Sequence, residues 1–549
     1  MTMPILDIRN LRVSYDANVP HCAVNGVSLQ VFPGEVVALV GESGSGKTSI
    51  AQAVIGLLQG NGRVDGGAIL LNGTDITRWS QKRLDAVRGA VVSLIPQDPT
   101  GSLNPVMTIG AQVREILTVH GKARGKAADR RVIELLTKVG LSQPEVRARQ
   151  YPHELSGGMK QRVLIAIAIA LEPALIIADE PTSALDVTVQ KRILDLIDDL
   201  RREFGTAVLF VTHDLGVAAD RSSRLIVLKG GEIQEEGATA DVLTAPQNTY
   251  TQRLLADAPS LSAPARIVRR SRAGETPLVT VENLVKDFAL PDGGVQRAVD
   301  GVSFGIDPGT THAIVGESGS GKTTTIRAIA GFERPTSGSI LIDGLDARTL
   351  KGETLRQFRR KVQLVYQNPL ASLDPRQSVF SIIEEPLLNF APVARDERAR
   401  RVAAILDRVG LTQATLARRP HALSGGQRQR IAIARALILE PKLVILDEAV
   451  SALDVTVQAQ ILSLLAELQA DLGLTYLFVS HDLAVVRQIA DSVSVMHEGR
   501  QVDHGSVEAV FERPTSAYTR DLIEAIPGRR RQAEGARSNP SETAEGYPA

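Results

Sequence analysis

A glycine-rich phosphate-binding pattern occurs twice in this sequence. The segment Gly41–Thr48 reads GESGSGKT, and the segment Gly316–Thr323 repeats it without a change. Each copy follows a short apolar run and precedes a helical pattern, which is the context that a P-loop requires. The glycines let successive backbone N–H groups turn toward one anion, and the following helix points its positive N-terminal end at the same anion. The sequence therefore predicts two sites for the phosphates of a nucleotide.

Side chains in and beside each P-loop have distinct predicted tasks. Lys47 and Lys322 reach the β- and γ-phosphates, and the hydroxyls of Thr48 and Thr323 bind Mg²⁺. A single copy would also fit an ordinary glycine turn, but two copies in matching contexts exclude that alternative. We therefore predict ATP and Mg²⁺ as cofactors, and the remaining nucleotide-binding residues of the two loops are Gly41, Ser43, Gly44, Ser45, Gly46 and Ser49, and Gly316, Ser318, Gly319, Ser320, Gly321 and Thr324.

Two adjacent carboxylates follow a buried-strand pattern in each half of the chain. In a strand, neighbouring side chains point to opposite faces, but the backbone can turn at the strand's end so that both approach a phosphate. We predict that the first acid, Asp179 or Asp447, belongs to the Mg²⁺ shell, and that the second, Glu180 or Glu448, polarises the attacking water. An isolated pair of this kind would more simply be a surface Asp-Glu after a core strand.

Histidines and serine-glycine helix starts recur with the same spacing. His213 and His481 each follow an apolar strand, and we predict that they sense the γ-phosphate. For His153 and His421 we predict structural roles. A serine N-cap followed by two glycines also opens a long helix in each half, which gives a second anion-binding helix end. Because one nucleotide has no use for two such ends in one domain, we predict that the halves face head to tail, each P-loop closing on the other half's helix; the residues are Ser156, Gly157 and Gly158, and Ser424, Gly425 and Gly426.

These landmarks recur at a nearly fixed separation, so the chain is an internal repeat. We predict a first domain over residues 1–258, a linker over 259–276, a second domain over 277–527 and a disordered tail over 528–549. Within the first domain, the patterns predict antiparallel strands over 5–15 and 23–31, further strands over 68–71, 91–95, 174–178, 207–211 and 225–228, and helices over 109–120, 129–139 and 187–203. This alternation predicts an α/β fold with a largely parallel sheet and the ligand at the strands' carboxyl ends.

Composition excludes several classes of protein. Lys+Arg and Asp+Glu are equal at 62 each, which gives no overall basic field for binding nucleic acid. The single cysteine, Cys22, excludes an internal disulfide, a four-cysteine zinc site and a cysteine-ligated iron–sulfur cluster. The N-terminus lacks a signal-peptide pattern, and the longest apolar run, Val163–Leu171, is far shorter than the ~20 residues of a membrane-spanning helix. We therefore expect membrane contact only through partner proteins. The linker arginines at 266, 269, 270 and 272 could contact lipid headgroups or RNA, but a solvated linker is the preferred interpretation.

Taken together, the motifs resemble the ATP-binding cassette family twice over, along nearly the whole chain. The resemblance implies two tandem P-loop domains, each with an antiparallel β subdomain and an α-helical subdomain. It also implies that Gln97 and Gln367 contact Mg²⁺ and the nucleotide, and that Tyr15 and Phe288 stack on adenine, with roles as core aromatics left open. The family's D-loop corresponds to Ser183-Ala184-Leu185-Asp186 and Ser451-Ala452-Leu453-Asp454.

Two further stretches resemble the importers of peptides, opines and nickel. They are Gln97–Pro105 with Gln367–Pro375, and the C-terminal segments Pro246–Pro259 and Pro514–Pro527, in which Asn248-Thr249 and Ser516-Ala517 replace the usual His-Pro. The resemblance implies a peripheral ATPase at the cytoplasmic face of the inner membrane. It would energise import of di- or oligopeptides through two transmembrane permease subunits supplied by an extracytoplasmic substrate-binding protein. In the second half Ala449-Val450 replaces Pro181-Thr182, but both carboxylates remain, so we expect both sites to hydrolyse ATP.

Three alternatives stay open at this point. The cargo could be nickel, an opine or glutathione instead of a longer peptide. A soluble tandem ATPase acting on ribosomes or nucleic acid would predict a long charged helical linker or zinc modules, which the sequence lacks. A regulatory or scaffolding protein would predict decayed catalytic residues, whereas both sets are complete.

Overall fold

The structure is a computed structural model that describes residues 2–16, 21–182, 185–258, 276–290, 293–390, 393–451 and 453–528. Most of the predicted linker with its four arginines, the tail after residue 528, and the D-loop residues Ser183, Ala184 and Ala452 lie outside the described residues. By their contacts, the described residues form two units, one within residues 2–258 together with 527–528, and the other within residues 276–526. The predicted domain boundaries remain predictions.

The first unit contains two sheets. An antiparallel sheet has the order β2-β1-β4-β5, and a mixed sheet has the order β10-β9-β3-β8-β7-β6, in which only the β9–β10 pair is antiparallel. The strands are β1 (Leu6–Tyr15), β2 (His21–Val31), β3 (Val36–Val40), β4 (Gly62–Leu71), β5 (Thr74–Asp75), β6 (Val92–Ile95), β7 (Leu175–Asp179), β8 (Ala207–Val211), β9 (Arg224–Lys229) and β10 (Glu232–Ala238).

The helices of this unit include the P-loop helix, a helical insert between β6 and β7, and a short C-terminal pair. They are α1 (Lys47–Ile55), α2 (Gln81–Asp85), α3 (Pro99–Ser102), α4 (Ile109–Val119), α5 (Gly125–Lys138), α6 (Pro144–Arg147), α7 (Gly157–Ile169), α8 (Val187–Phe204), α9 (Leu215–Arg221), α10 (Thr239–Thr244) and α11 (Thr249–Ala256). A short 3₁₀ turn, Pro152–Glu154, carries His153 immediately before α7.

The second unit repeats this arrangement, with sheets ordered β12-β11-β14-β15 and β16-β17-β18-β13-β19-β20. Its strands are β11 (Val279–Ala289), β12 (Val295–Ile306), β13 (Thr311–Val315), β14 (Ser337–Ile342), β15 (Leu345–Asp346), β16 (Val362–Val365), β17 (Leu443–Asp447), β18 (Thr475–Ser480), β19 (Ser492–His497) and β20 (Arg500–Ser506). Its helices are α12 (Lys322–Ile329), α13 (Gly352–Lys361), α14 (Pro369–Ser372), α15 (Val379–Phe390), α16 (Arg395–Arg408), α17 (Gly425–Leu437), α18 (Val455–Leu472), α19 (Leu483–Ile489), α20 (Val507–Glu512) and α21 (Ala517–Glu524).

The parallel strands are covered on both faces, which explains their unbroken apolar sequences. In β7, Leu175 and Ile177 pack into the core beneath the antiparallel sheet, whereas Ile176 and Ala178 pack against the helical insert. This alternation follows from the two-residue period of a strand. Each fully buried Leu or Ile stabilises the fold by about 1.5–3 kcal/mol relative to an exposed one. The strand is therefore fixed in register, and its last residue, Asp179, is fixed at the edge of the sheet.

The predicted elements are present, with differences at their ends. Strand β4 begins at Gly62 instead of residue 68, because its first six residues include three glycines, two charged residues and only one apolar residue, Val64, and so give little apolar signal. Helix α5 begins at Gly125, four residues before the predicted start. The predicted antiparallel β subdomain and α-helical insert are both confirmed, and no helix among the described residues is long and apolar enough to cross a membrane.

The two halves differ at one buried position of the P-loop strand. His312 in β13 occupies the place of Val37 in β3, since each pairs with equivalent positions of its neighbouring strands. Its Nδ1 lies 2.7 Å from Ser492 Oγ and its Nε2 lies 3.0 Å from Ser494 Oγ, while its ring stacks on Phe304. Burial, helped by the charge of His504, lowers the pKa of His312 to about 3. The imidazole is therefore neutral in the folded protein at any ordinary pH.

His312 should make the second half acid-sensitive. The unfolded chain takes up this proton near pH 6.5 and the folded chain does not, so the free energy of unfolding falls as the pH decreases below 6.5, by about 2 kcal/mol between pH 7 and pH 5. His312→Val should remove this part of the pH dependence. Urea unfolding of the full chain at the two pH values measures it, and an unchanged pH dependence in the variant would contradict the assignment.

Candidate functional site

The lysine of each phosphate loop is buried and bonded to its own loop. Lys47 Nζ donates to the carbonyl oxygens of Gly41 at 2.7 Å and Glu42 at 2.9 Å, and Lys322 Nζ makes the same two bonds to Gly316 and Glu317 at the same distances. Both lysines are 5% exposed. The loop carbonyls thus compensate a cation that would otherwise be costly to bury. A phosphate that enters the loop meets a cation already held at its centre.

Two glycines of the first loop show why the motif needs this residue. Gly46, the N-cap of α1, has φ 99°, and a Cβ there would lie 2.3 Å from the carbonyl oxygen of Ala23. Gly44 has φ 79°, but a Cβ there would meet no atom within 4 Å. Both positions disfavour an L side chain through their backbone conformation, but only Gly46 is also blocked by a backbone atom. The loop therefore packs closely against β2 at Gly46.

The two acids at the end of β7 have different backbone conformations, because the second of them is left-handed. Asp179 continues the strand, and its Oδ1 accepts a hydrogen bond from Thr48 Oγ1 at 3.3 Å. Glu180 has φ 45°, and its N–H donates to Val211 O at 2.8 Å, which fixes the turn to the next strand. Glu448 repeats this conformation with φ 47°. The predicted turn at the strand's end is thus present in both halves.

The second acid of each pair is held by a glutamine and a histidine. Gln97 Nε2 donates to Glu180 at 2.8 Å, and His213 Nδ1 lies 3.0 Å from the same carboxylate. In the second half, Gln367 Nε2 donates to Glu448 at 2.8 Å, and His481 Nδ1 lies 3.1 Å from it. These three side chains come from separate elements of the sheet, as the sequence predicted. The predicted γ-phosphate sensor is thus in direct contact with the predicted water-activating acid.

Opposite pKa shifts distinguish the two adjacent acids. Burial, together with the charge of Glu180, raises the pKa of Asp179 to about 6. The hydrogen bond from Thr48 and the charge of Lys47 lower this pKa but do not offset the increase. Burial and the charge of Glu448 likewise raise the pKa of Asp447 to about 6. Burial also raises the pKa of Glu180, but the hydrogen bond and charge of His213 more than offset it, so this pKa lies below its usual value. The arrangement keeps the second acid ionised beside a histidine.

The second half shows the same division for Glu448. Burial raises its pKa, but the hydrogen bond and charge of His481, with the charge of Lys322, bring it below its usual value. For His213, burial lowers the pKa, but the hydrogen bond and charge of Glu180 raise it above its usual value. A carboxylate and a histidine that favour each other's charged form can hold a water molecule and a phosphate oxygen between them.

The donor set beside each P-loop fits a magnesium ion. A threonine hydroxyl and a carboxylate oxygen converge where Thr48 bonds Asp179, and Thr323 and Asp447 hold the same places in the repeat. Mg²⁺ binds hard oxygen ligands and is held in such sites by one or two carboxylates together with phosphate oxygens. The amide of Gln97 contacts Glu180 in this structure, so its assignment to the metal stays a prediction.

The two predicted adenine-stacking aromatics have different surroundings. Tyr15 is half-buried at the end of β1, and its hydroxyl lies 3.1 Å from Ser49 Oγ on the P-loop helix. Phe288 is 36% exposed near the end of β11, with Lys286 Nζ 4.8 Å from its ring centre. The hydroxyl contact brings Tyr15 beside the first P-loop helix, whereas Phe288 contacts a lysine and is partly exposed. Stacking on adenine remains a prediction for both.

The serines of the two Ser-Gly-Gly motifs cap their helices as predicted. Ser156 Oγ accepts the N–H of Met159 at 3.3 Å at the start of α7, and Ser424 Oγ accepts the N–H of Gln427 at 3.3 Å at the start of α17. The N–H of Ser424 in turn donates to Gln427 Oε1 at 3.1 Å, which completes a capping box. The helix starts are thus preformed in both units.

Sequence reasoning missed one contact of the phosphate loop. The N–H of Glu42 donates to Tyr250 Oη at 3.4 Å, and the N–H of Glu317 donates to Tyr518 Oη at 3.1 Å. The signal available in the sequence was the recurrence of a tyrosine in the two C-terminal segments, which was used for the resemblance and not for the site.

The close packing of Gly46 against β2 can be tested with a matched pair of substitutions. Gly46→Ala should abolish nucleotide binding at the first loop, because the added Cβ collides with a backbone carbonyl that cannot move without shifting β2. Gly44→Ala should weaken binding less, since it adds conformational strain of roughly 1 kcal/mol without a collision. Titration of the full chain with a fluorescent ATP analogue measures both. Equal losses of nucleotide affinity in the two variants would contradict a special role for the packing of Gly46 against β2.

Comparison with known proteins gives matches along the chain. A family model described as "ABC transporter" matches residues 24–183 and 299–451, and one described as "Oligopeptide/dipeptide transporter, C-terminal region" matches residues 234–286. The oligopeptide transport ATP-binding protein OppD of Mycobacterium tuberculosis is 42% identical over 95% of this chain and 98% of that protein. The glutathione import ATP-binding protein GsiA of Pectobacterium atrosepticum is 42% identical over 95% of this chain and 89% of that protein. The peptidoglycan transport ATP-binding protein YejF of Agrobacterium fabrum is 44% identical over 95% of this chain and 96% of that protein.

Both units thus contain the phosphate loop, the paired acids and the serine-capped helix, and the family model covers each of them. The relatives match along nearly their whole lengths. The resemblance inferred from the motifs is confirmed: the chain belongs to the ABC transporter family, and it is an ATPase with two of the family's ATP-binding domains in one polypeptide.

Proposed function

We propose that this chain is the ATP-hydrolysing subunit of an importer of di- or oligopeptides, acting on partner permease subunits in the membrane. The observation that carries the proposal is the complete catalytic set in both units, combined with a C-terminal region that matches the oligopeptide/dipeptide transporter model. Relatives similar along nearly the whole chain are named for oligopeptide, glutathione and peptidoglycan transport. Their shared feature is a cargo with peptide or peptide-like chemistry.

In this proposal each side chain of the site has one task in hydrolysis. The P-loop N–H groups and Lys47 or Lys322 hold the β- and γ-phosphates, and bound Mg²⁺ neutralises charge that develops on them. Thr48 with Asp179, and Thr323 with Asp447, would hold that ion. The ionised Glu180 or Glu448 accepts a proton from the attacking water, and the neighbouring histidine orients that carboxylate and contacts the γ-phosphate. The contacts of Glu180 with Gln97 and His213 support this division of tasks.

Each composite site would use residues from both units. Helices α7 and α17 each begin at a serine cap and present backbone N–H groups there. The P-loop of the same unit has its own helix end for the phosphates, which supports a role for these N–H groups opposite the other unit's nucleotide. ATP would then hold the two units together, and hydrolysis would let them part. The Ala449-Val450 departure leaves the bonds of Glu448 like those of Glu180, which supports hydrolysis at both sites.

Replacement of both general bases tests the enzymatic part of the proposal. Glu180→Gln with Glu448→Gln should lower ATP turnover at least 100-fold, because an amide cannot accept the proton of water, while nucleotide stays bound. Cells that depend on the chain for uptake of a labelled tripeptide should lose uptake in parallel. Near-normal turnover in the purified double variant would remove both glutamates from the role of general base.

A groove beside Gln367 supports the contact with permease subunits. It encloses about 250 Å³ between the end of β16 and helix α15, with Tyr366, Phe332 and Phe390 among its lining residues. Phe332 is 49% exposed, and Arg359 lies over its ring at 5.2 Å. A segment seated there would touch both the sheet and the helical insert, one residue from the glutamine that bonds the general base. Movement of the helical insert would therefore be transmitted directly to the permease subunit.

The repeat offers a symmetric test of this contact. Leu57 occupies the place of Phe332 after the first P-loop helix and is 48% exposed. Leu57→Ser with Phe332→Ser should abolish co-purification of the permease subunits while ATPase activity of the isolated chain is retained. Leu472→Ser, at a side chain that is 37% exposed at the end of α18, is the control and should keep the partners bound. Retention of the permeases by the double variant would exclude this surface.

The remaining parts of the proposal concern location and cargo supply. The chain would lie at the cytoplasmic face of the inner membrane, held by two permease subunits, and an extracytoplasmic binding protein would deliver the peptide. The described residues contain no helix that could span a membrane, which is consistent with attachment through partners. Glutathione remains a second candidate cargo because glutathione importers are among the relatives.

A further inference from the structure

The C-terminal part of each unit reaches that unit's phosphate loop through one hydroxyl. Tyr250, near the start of α11, accepts the N–H of Glu42, and Tyr518, near the start of α21, accepts the N–H of Glu317. The distances are 3.4 Å and 3.1 Å, so the second bond is the shorter. The same contact is formed at the same place in the repeat, in two units that differ in many surrounding residues. A chance packing contact would not be expected twice.

The bonded N–H belongs to the peptide group that holds the loop's lysine. The peptide between Gly41 and Glu42 donates its N–H to Tyr250, and its carbonyl oxygen accepts Lys47 Nζ at 2.7 Å. A continuous chain of hydrogen bonds therefore runs from phenol to peptide to ammonium. Bonds in such a chain polarise and strengthen one another.

The second unit forms the same chain of bonds. The peptide between Gly316 and Glu317 donates to Tyr518 and accepts Lys322 Nζ at 2.7 Å. In both units the tyrosine thus bonds one of the two loop peptides whose carbonyl oxygens accept the lysine.

The helix that carries each tyrosine is anchored to the last strand of its sheet. Glu235 on β10 accepts the N–H of Gln247 at 2.7 Å and that of Asn248 at 3.1 Å, directly before α11. Asp503 on β20 plays the same part before α21, accepting the N–H of Thr515 at 2.8 Å and that of Ser516 at 3.3 Å. The hydroxyl is therefore presented to the loop by a fixed support.

The rings are packed differently, whereas the hydroxyl contact is shared. Lys229 Nζ lies 4.5 Å from the ring centre of Tyr250, which is 9% exposed. The ring of His497 lies 4.0 Å from that of Tyr518, centre to centre. Because the ring's neighbour changes from lysine to histidine and the hydroxyl's partner does not, the oxygen is the part with a common task.

We propose that Tyr250 and Tyr518 are positioning residues for nucleotide binding, each fixing a peptide that accepts a hydrogen bond from the P-loop lysine and so coupling the C-terminal helix to the occupancy of the phosphate site. Loss of the oxygen lets this peptide rotate, and the loop then loses part of its preorganisation for phosphate. The inference depends on ATP binding by the loops and is independent of the cargo and of the permease partners.

Tyrosine-to-phenylalanine variants of the full chain test the proposal. Tyr250→Phe and Tyr518→Phe should each weaken binding of a non-hydrolysable ATP analogue with Mg²⁺ by about 3- to 10-fold at one site, the effect of one neutral hydrogen bond. Hydrogen exchange adds a readout specific to each unit. Amides of residues 41–48 should exchange faster in Tyr250→Phe and those of 316–323 should not, with the reverse in Tyr518→Phe.

A buried tyrosine opposite Thr311, at the end of β13 away from the second phosphate loop, provides the matched control. Tyr476 Oη donates to Leu465 O at 3.0 Å and its side chain is 1% exposed, so Tyr476→Phe also removes a buried phenol bond. This control should leave ATP-analogue affinity and exchange of both loops unchanged. Unchanged affinity and unchanged loop exchange in Tyr250→Phe and Tyr518→Phe would overturn the proposal, as would an equal loss in Tyr476→Phe.

Discussion

Both proposed catalytic sites depend on a left-handed residue placed directly after a parallel strand. Without the positive φ of Glu180 and Glu448, each glutamate would point to the face of the sheet opposite its neighbouring aspartate. A non-glycine residue in this conformation costs about 1–2 kcal/mol. The N–H bonds of these residues to Val211 and Val479, at 2.8 Å and 3.0 Å, hold the turn against that cost. The buried sheet thus stabilises a local strain that the chemistry requires.

The turn also gives two chemically similar carboxylates different properties. Asp179 stays within the buried strand end, where desolvation raises its pKa, and it faces a threonine hydroxyl. Glu180 turns toward Gln97 and His213, whose hydrogen bonds favour its ionised form. Neighbouring acids whose environments move their pKa values in opposite directions are suited to separate roles, which here are the proposed metal binding and proton acceptance. The second unit reproduces this division with Asp447 and Glu448.

Those parts of the molecule that rest on short-range rules could be predicted from the sequence. The P-loop, the serine N-caps and the turn after the strand each involve a few neighbouring residues with fixed conformational preferences. Strand β4 was predicted too short, because residues such as Gly62 and Arg63 carry no apolar signal and are held by pairing with β1. The bond between Glu42 and Tyr250, which joins residues 208 positions apart, was not predicted, because the recurrence of the tyrosine does not say which backbone group it contacts. The polar cluster around His312 was likewise hidden, because it depends on which serines lie opposite in a neighbouring strand.

The lysine bonds within each P-loop have a consequence for selectivity among anions. Each loop lysine is bonded to carbonyls of its own loop, those of Gly41 and Glu42 or of Gly316 and Glu317, so part of its hydrogen-bonding capacity is met within the loop. An ammonium group has three donors, so an incoming anion competes with these two carbonyls for the lysine and exchanges part of their hydrogen bonds for its own. A single sulfate or inorganic phosphate offers little beyond this exchange, whereas a triphosphate also occupies the remaining N–H groups of the loop and the helix end. The internal lysine bonds should therefore favour the phosphates of a nucleotide over a single small ion.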